Sequence, residues 1–223
     1  MSHLLSKSKY IRGLQCDRAL WLDVHRPSLA RYTREQMQRF DRGREFEYAF
    51  KDTFPDGVDI SAELKRNVDA YPTLTAQMLD KGDEIVLFEA GFCYDDVLVL
   101  ADVVKLRADG TLDIYEVKSG NLLSETYKRD AALQHYVISH CREVNSFCIV
   151  YNGENGANGQ FVVADLTVEL AASRDEIAAN ISAMKEIILH GEPATPTGAH
   201  CLEPYACPYQ HYCAQGVRQM SLF

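Results

Sequence analysis

Residues 85–118 read IVLFEAGFCYDDVLVLADVVKLRADGTLDIYEVK. Three runs rich in Val, Ile, Leu, Phe and Tyr (85–94, 97–106 and 111–118) are separated by Asp95-Asp96 and by Arg107-Ala108-Asp109-Gly110. Short polar breaks rich in Asp and Gly between β-prone runs predict hairpins, and so an antiparallel meander. Downstream, 125–140 predicts a helix, 146–151 a strand, 152–159 a loop and 160–165 another strand. A long helix over 169–190 is closed by Gly191 and Pro193. Upstream, Ser6 predicts the N-cap of a helix running to about Leu22, broken by Pro27, with a second helix over 34–51. Pro55-Asp56-Gly57 is turn chemistry. Residues 58–83 predict one weak strand and one short helix. This order of elements predicts a mixed α/β core with helical additions.

The composition agrees with a globular chain. Of 223 residues, 47% are hydrophobic and 25% charged, which argues against disorder. No run approaches the ~18 consecutive apolar residues of a membrane helix. The first residues carry no apolar stretch of the secretory kind, so a cytoplasmic protein is expected. Seven cysteines, an odd number, fit a disulfide framework poorly. The net charge is −9, yet residues 1–51 hold eleven Lys/Arg against six Asp/Glu, while the remainder holds twelve against twenty-six. Such asymmetry points to an anionic partner for the basic part, or to a solvated helix face.

The meander places chemistry. Asp102 lies inside the second apolar run, and Glu116-Val117-Lys118 ends the third. Residues two apart on a strand share a face, so Glu116 and Lys118 point the same way and Asp102 is expected opposite them. Two carboxylates on adjacent strands make a hard oxygen site suited to Mg²⁺ or Mn²⁺. A neighbouring lysine orients water or stabilises a phosphate in flight, and together these are the parts of metal-assisted phosphodiester hydrolysis. The alternative is a surface salt bridge between Glu116 and Lys118.

The pattern of an Asp inside one apolar strand, a turn, and a strand ending Glu116-Val117-Lys118-Ser119-Gly120 resembles the PD-(D/E)xK nuclease superfamily, and in particular its RecB-like branch. Residues 130–136, with Leu133-Gln134-His135-Tyr136, resemble that branch's Gln/Tyr motif. The resemblance implies a restriction-endonuclease-like α/β core with Asp102, Glu116, Lys118, Gln134 and Tyr136 catalytic. It also implies Asp102, Glu116 and the Val117 carbonyl around the metal. Arg42-Gly43-Arg44-Glu45-Phe46-Glu47 falls where the branch has Gly-x-x-x-His; Glu47 replaces the His and becomes a candidate ligand. Glu89 is a further candidate carboxylate.

Cys201, Cys207 and Cys213 follow a C-x5-C-x5-C spacing in a tail without strong periodicity, and such a tail needs something to hold it. Thiolate coordination of a metal or an iron–sulfur cluster does so, with Cys16 as a fourth ligand. Residues 5–21 and 198–213 are similar to RecB-like nucleases in which an N-terminal Cys joins three C-terminal ones around a four-iron cluster. Zinc is the rival, with His200 and His211 as substitute ligands. Cys93, Cys141 and Cys148 read as buried small hydrophobes.

The resemblance implies one nuclease domain over 1–223: a helical part at 1–55, a catalytic core at 80–190, a cluster-binding tail at 195–216 packed on the N-terminal helix, and a terminal peptide at 219–223. It implies a Mg²⁺- or Mn²⁺-dependent DNA nuclease, an exonuclease or end-processing enzyme on single-stranded DNA. Rival readings are a CRISPR-associated spacer-processing nuclease and a decayed iron–sulfur nucleic-acid-binding protein. Lys7, Lys9, Arg12 and Arg18 are expected to contact phosphates. Tyr10, Trp21 and Tyr209 are stacking platforms or core aromatics. Gln219-Met220-Ser221-Leu222-Phe223 resembles a bacterial sliding-clamp-binding peptide, with Gln219, Leu222 and Phe223 as its anchors.

Overall fold

The computed structural model describes residues 4–64, 67–153 and 161–220. In chain order its elements are β1 (Leu5–Ser6), α1 (Lys7–Gln15), α2 (Asp17–His25), α3 (Arg34–Lys51), β2 (Val58–Asp59), α4 (Ile60–Leu64), α5 (Tyr71–Leu79), β3 (Val86–Tyr94), β4 (Val97–Leu106) and β5 (Leu112–Lys118). They continue with α6 (Glu125–Cys141), β6 (Val144–Tyr151), β7 (Val162–Asp165), α7 (Thr167–Ala172), α8 (Arg174–Leu189) and α9 (Gln210–Met220). Two compact units divide the chain: Met1–Lys7 with Arg39–Ile177, and Ser8–Gln38 with Ala178–Phe223.

The first unit is built on a mixed sheet of order β2-β3-β4-β5-β6-β7, with β1 also paired to β4. The β3–β4 and β4–β5 pairings are antiparallel, as the short Asp/Gly breaks predict. β5 and β6 run parallel, which requires a crossover between them, and α6 supplies it. Ser124 caps α6, its hydroxyl accepting from the Tyr127 N–H; removing such a cap costs about 1 kcal/mol. Every residue of α6 from Asp130 to Ile138 is buried. Phe50 of α3 packs with Phe88, Val103, Val117 and Val150, and its ring meets Phe161 edge-on at 5.1 Å. Each such fully buried side chain is worth about 1.5–3 kcal/mol. Gly91 of β3 is required by packing, since a Cβ there would lie 2.4 Å from Tyr71 Cβ on α5.

In the second unit Ala19, Leu22 and Tyr209 form a small core lined by Cys16, Trp21, Cys207, Tyr212 and Cys213. The Tyr209 hydroxyl donates to Asp23, and Gln15 donates to the carbonyls of His200 and Tyr205 at 2.8 and 2.7 Å. The tail, so short of apolar periodicity, is thereby tied to α1 and α2.

Three elements differ from expectation. The first helix does not run unbroken to Leu22: it starts at Lys7 and stops at Gln15, and Cys16 adopts extended backbone (φ −168°, ψ 124°) before α2. The helix expected over 169–190 begins earlier, at Thr167, whose N–H and hydroxyl both bond Asp165, and it is broken at Ser173. Among the described residues of 58–83 there are two α-helices, α4 and α5, besides β2. None of the described helices is long and apolar enough to cross a membrane.

Candidate active site

Strand register brings three carboxylates into one row. Phe88 pairs with Val103 and Ala90 with Ala101, so Glu89 stands opposite Asp102. Val103 pairs with Tyr115, so one step further Asp102 stands opposite Glu116. The ladder is interrupted along this row: the β3–β4 pairing skips Glu89 and Asp102, and the β4–β5 pairing covers only Val103 to Leu106. Like charges directly across a ladder destabilise it. Glu89 takes φ +54°, a left-handed conformation that costs a non-glycine residue about 1–3 kcal/mol and collects at functional sites. Asp102 instead accepts the Val117 N–H at 2.7 Å.

Helices complete the cluster. Glu47 of α3 joins Glu89 and Asp102, with ligand atoms of all three within 4.8 Å of one another. Lys51, one turn after Glu47, pairs with Glu47 and lies 2.6 Å from Glu89. On the other side Glu116 Oε1 accepts from Lys118 at 2.6 Å and from Lys7 at 2.8 Å. Lys118 also pairs with Asp130 of α6. Glu116 Oε2, Asp130 Oδ1 and both amide atoms of Gln134 are buried without a partner. Leaving such atoms unmet by water or ligand costs about 1–3 kcal/mol each.

The electrostatics follow from this crowding. Burial first, then the charge of Glu116, drives the Asp102 carboxyl well above its ordinary range. Burial also raises Glu89 against the pull of Lys51. Glu116 moves the opposite way: burial opposes its charge, but Lys118 and Lys7 outweigh that and hold it below the usual carboxylate range. Burial likewise opposes the charge of Lys118, and Asp130, Glu116 and Asp102 overcome it, keeping the ammonium firmly protonated. Five carboxylates (Glu47, Glu89, Asp102, Glu116, Asp130) thus meet three ammoniums (Lys7, Lys51, Lys118). The ionised site carries an excess of two negative charges, which one divalent cation cancels. The donor set, all hard oxygen, fits Mg²⁺ or Mn²⁺.

Several expected residues meet here and others do not. Glu116 and Lys118 share a face as expected. Glu116 is not part of the three-carboxylate group around Asp102, because two lysines engage it; Glu47 and Glu89 take those places. Gln134 lies one turn beyond Asp130 and is fully buried. Tyr136, two positions on and so on another side of α6, packs against the rings of Tyr94 and His140. Lys7 sits in the site. Arg12 and Arg18 are in ion pairs with Asp23 and Glu192. Tyr10 and Tyr209 are core residues; Trp21 donates its N–H to the His190 carbonyl. Lys51 and Asp130 were missed as site residues, although each had a signal: Lys51 is i+4 from Glu47, and Asp130 is i−4 from Gln134.

The four cysteines Cys16, Cys201, Cys207 and Cys213 belong to one unit. Burial raises the Cys207 thiol, which also senses Cys16 and Cys201; burial raises Cys213, which also senses Cys207, Cys16 and Cys201. The Cys16 side chain makes no cap bond to α2. His200 Nε2 is 3.7 Å from the Cys201 sulfur. Among the described residues no three of these sulfurs lie within 4.8 Å of one another. Of the other cysteines only Cys148 is buried, its thiol pushed up to about 11 chiefly by burial; Cys93 is half-buried and Cys141 exposed, contrary to expectation. The Leu222 and Phe223 anchors of the terminal peptide lie outside the described residues.

No family model matches the chain, and no curated protein matches it. Among solved structures, the crystal structure of SSO0001 is similar at 12% identity with a TM-score of 0.48, covering 95% of this chain and 85% of that one.

Proposed function

We propose that this protein is a divalent-cation-dependent deoxyribonuclease of the PD-(D/E)xK, RecB-like kind, an exonuclease or end-processing enzyme on single-stranded DNA. The row Glu89–Asp102–Glu116, with Lys118 against Glu116, carries the reading. Asp102, Glu89 and Glu47 would hold the cation, with the unmet oxygen of Glu116 and the Val117 carbonyl beside them. When bound, such a cation lowers the pKa of its water and offsets charge on a phosphate. Lys118 is an ammonium held charged by its neighbours, so it donates hydrogen bonds to water or phosphate oxygen and does not accept a proton. Gln134 offers a buried amide with donor and acceptor both free to orient a strand. A carboxylate row of this kind has no structural return: it strains Glu89, interrupts two ladders and leaves buried atoms unmet.

The four cysteines would bind an iron–sulfur cluster that ties α1, α2 and the tail together. The test is degradation of end-labelled single-stranded DNA by anaerobically purified protein with Mn²⁺. Cleavage that a chelator and Asp102→Asn both abolish is expected. Cleavage unchanged by Asp102→Asn would sink the reading.

A further inference from the structure

Lys7 reaches the site by a route that no local pattern signals. β1 pairs in parallel with β4, Leu5 beside Val97 and Ser6 beside Leu98. The Leu4 and Leu5 N–H groups donate to the Asp96 carbonyl at 2.9 and 3.1 Å, and Leu5 is fully buried. β3 occupies one side of β4 along most of its length, and β5 takes the other side only from Val103 to Leu106. The N-terminal strand fills the side that β5 leaves. Lys7, the next residue, therefore emerges beside the end of β5, where Glu116 and Lys118 lie. Its ammonium is 2.8 Å from Glu116 Oε1 and 3.8 Å from Asp130 Oδ2.

Lys118 already serves both of those carboxylates. Glu116 Oε1 thus takes two ammoniums while its other oxygen takes none. Of the two lysines, Lys7 is the more open, at 28% exposure against 18%. A second, more accessible cation on an already satisfied oxygen is available to an incoming anion. Lysine is a compact point charge on a flexible stem and suits exchange between partners.

Resting on the nuclease reading above, we propose that Lys7 is a substrate-binding residue whose ammonium leaves Glu116 for a phosphate oxygen of the nucleic-acid strand once a divalent cation has loaded. The charges support the exchange. One divalent cation brings the site, Lys7 included, to neutrality; the phosphodiester then adds one negative charge, and Lys7 turns to it while Lys118 stays on Glu116 Oε1.

The experiment uses the full chain and a fluorescent single-stranded oligodeoxythymidylate, with Ca²⁺ in place of Mn²⁺ to hold off cleavage. Binding is followed by anisotropy across a salt series. Lys7→Gln keeps a donor for Glu116 but loses the charge; Lys7→Arg keeps the charge. Lys7→Gln should weaken binding about tenfold and lower the slope of log affinity against log salt by about 0.7, the counterion share of one single-strand phosphate contact. Lys7→Arg should keep the wild-type slope. Mn²⁺ titrated alone should bind Lys7→Gln at least as tightly as wild type, because a competing cation is gone. An unchanged salt slope in Lys7→Gln overturns the proposal and leaves Lys7 as a mere neutraliser of Glu116. Amine labelling of wild-type protein tests the same point without a variant: the oligonucleotide should protect Lys7 relative to Ca²⁺ alone, and absent protection overturns it. Wild-type protein that binds neither Mn²⁺ nor oligonucleotide sinks the nuclease reading itself, which is a different result from these.

Discussion

Lys51 Nζ lies 2.6 Å from Glu89 Oε1, across 38 residues of chain. The same ammonium pairs with Glu47, so two of the three clustered carboxylates share one cation that the chain itself supplies. Burial opposes the Lys51 charge, and Glu89 and Glu47 more than restore it. Removing one partner of a buried pair costs about 3–5 kcal/mol, mostly because the other charge is left alone. Lys51→Met should therefore lower the thermal midpoint sharply in chelator. Mn²⁺ should then raise that midpoint by more than it raises wild type, since a ligand's stabilisation grows with the logarithm of its affinity for the folded state. Thermal unfolding with and without Mn²⁺ checks this; a smaller Mn²⁺ effect in the variant contradicts it.

Asp102 carries a pH signature. Its carboxyl is raised in the folded protein, by burial first and then by Glu116, above an unfolded value near 3.9. The folded state then binds the proton more tightly. Stability from this group is present below the unfolded value and is lost as pH rises through the folded one. Asp102→Asn removes that loss and keeps an oxygen to accept the Val117 N–H. In chelator its midpoint should match wild type near pH 4 and exceed it by a few degrees at neutral pH, ~1 kcal/mol being worth about 2–4 °C at this length. Cleavage should fall at least ~10³-fold. A melting series from pH 4 to 8 and a cleavage assay read both; a variant no more stable than wild type at pH 7 refutes the argument.

The cysteine set predicts composition. Anaerobically purified protein should contain iron and sulfide and absorb in the visible. Replacing Cys16, Cys201, Cys207 or Cys213 should each lower the iron content and the midpoint, because metal binding contributes directly to folding. Replacing Cys93, whose unit is the other one, should leave iron unchanged. Colourless protein with stoichiometric zinc by elemental analysis would replace the cluster with a zinc site.

The terminal peptide predicts a partner. If Gln219, Leu222 and Phe223 act as clamp anchors, removal of residues 219–223 should abolish an interaction of about micromolar strength with the host's sliding clamp. Calorimetric titration of the full-length and shortened proteins decides it; equal binding by both, or none by either, removes the idea.

Much of the fold was readable because it rests on local chemistry. The β3, β4 and β5 runs are set by β-branched and aromatic residues between Asp/Gly breaks, and the helix from Arg34 to Lys51 has the limits expected of it. The break at Cys16 was not readable: Leu14, Cys16 and Ala19 carry no helix-stopping residue, and the extended backbone there goes with the tail packed on α1 and α2. Within the site, Glu116 and Lys118 share a face by period two alone. The company of Asp102 depended on more. Glu89 reaches α3 through a left-handed residue inside a strand, and Lys7 arrives through a two-residue strand paired with residues ninety-two positions away. Those are long-range facts, and no window of sequence contains them.

The discontinuous second unit has a consequence for synthesis. Residues 39–177 leave the ribosome as one uninterrupted stretch, so most of the first unit can acquire its sheet while the chain is still growing. Cys16 is made before residues 39–177, and Cys201, Cys207 and Cys213 after them. Closure of the second unit waits until the segment beyond residue 177 has been made. A chain stalled soon after residue 177 would therefore hold the carboxylate row but none of Cys201, Cys207 and Cys213.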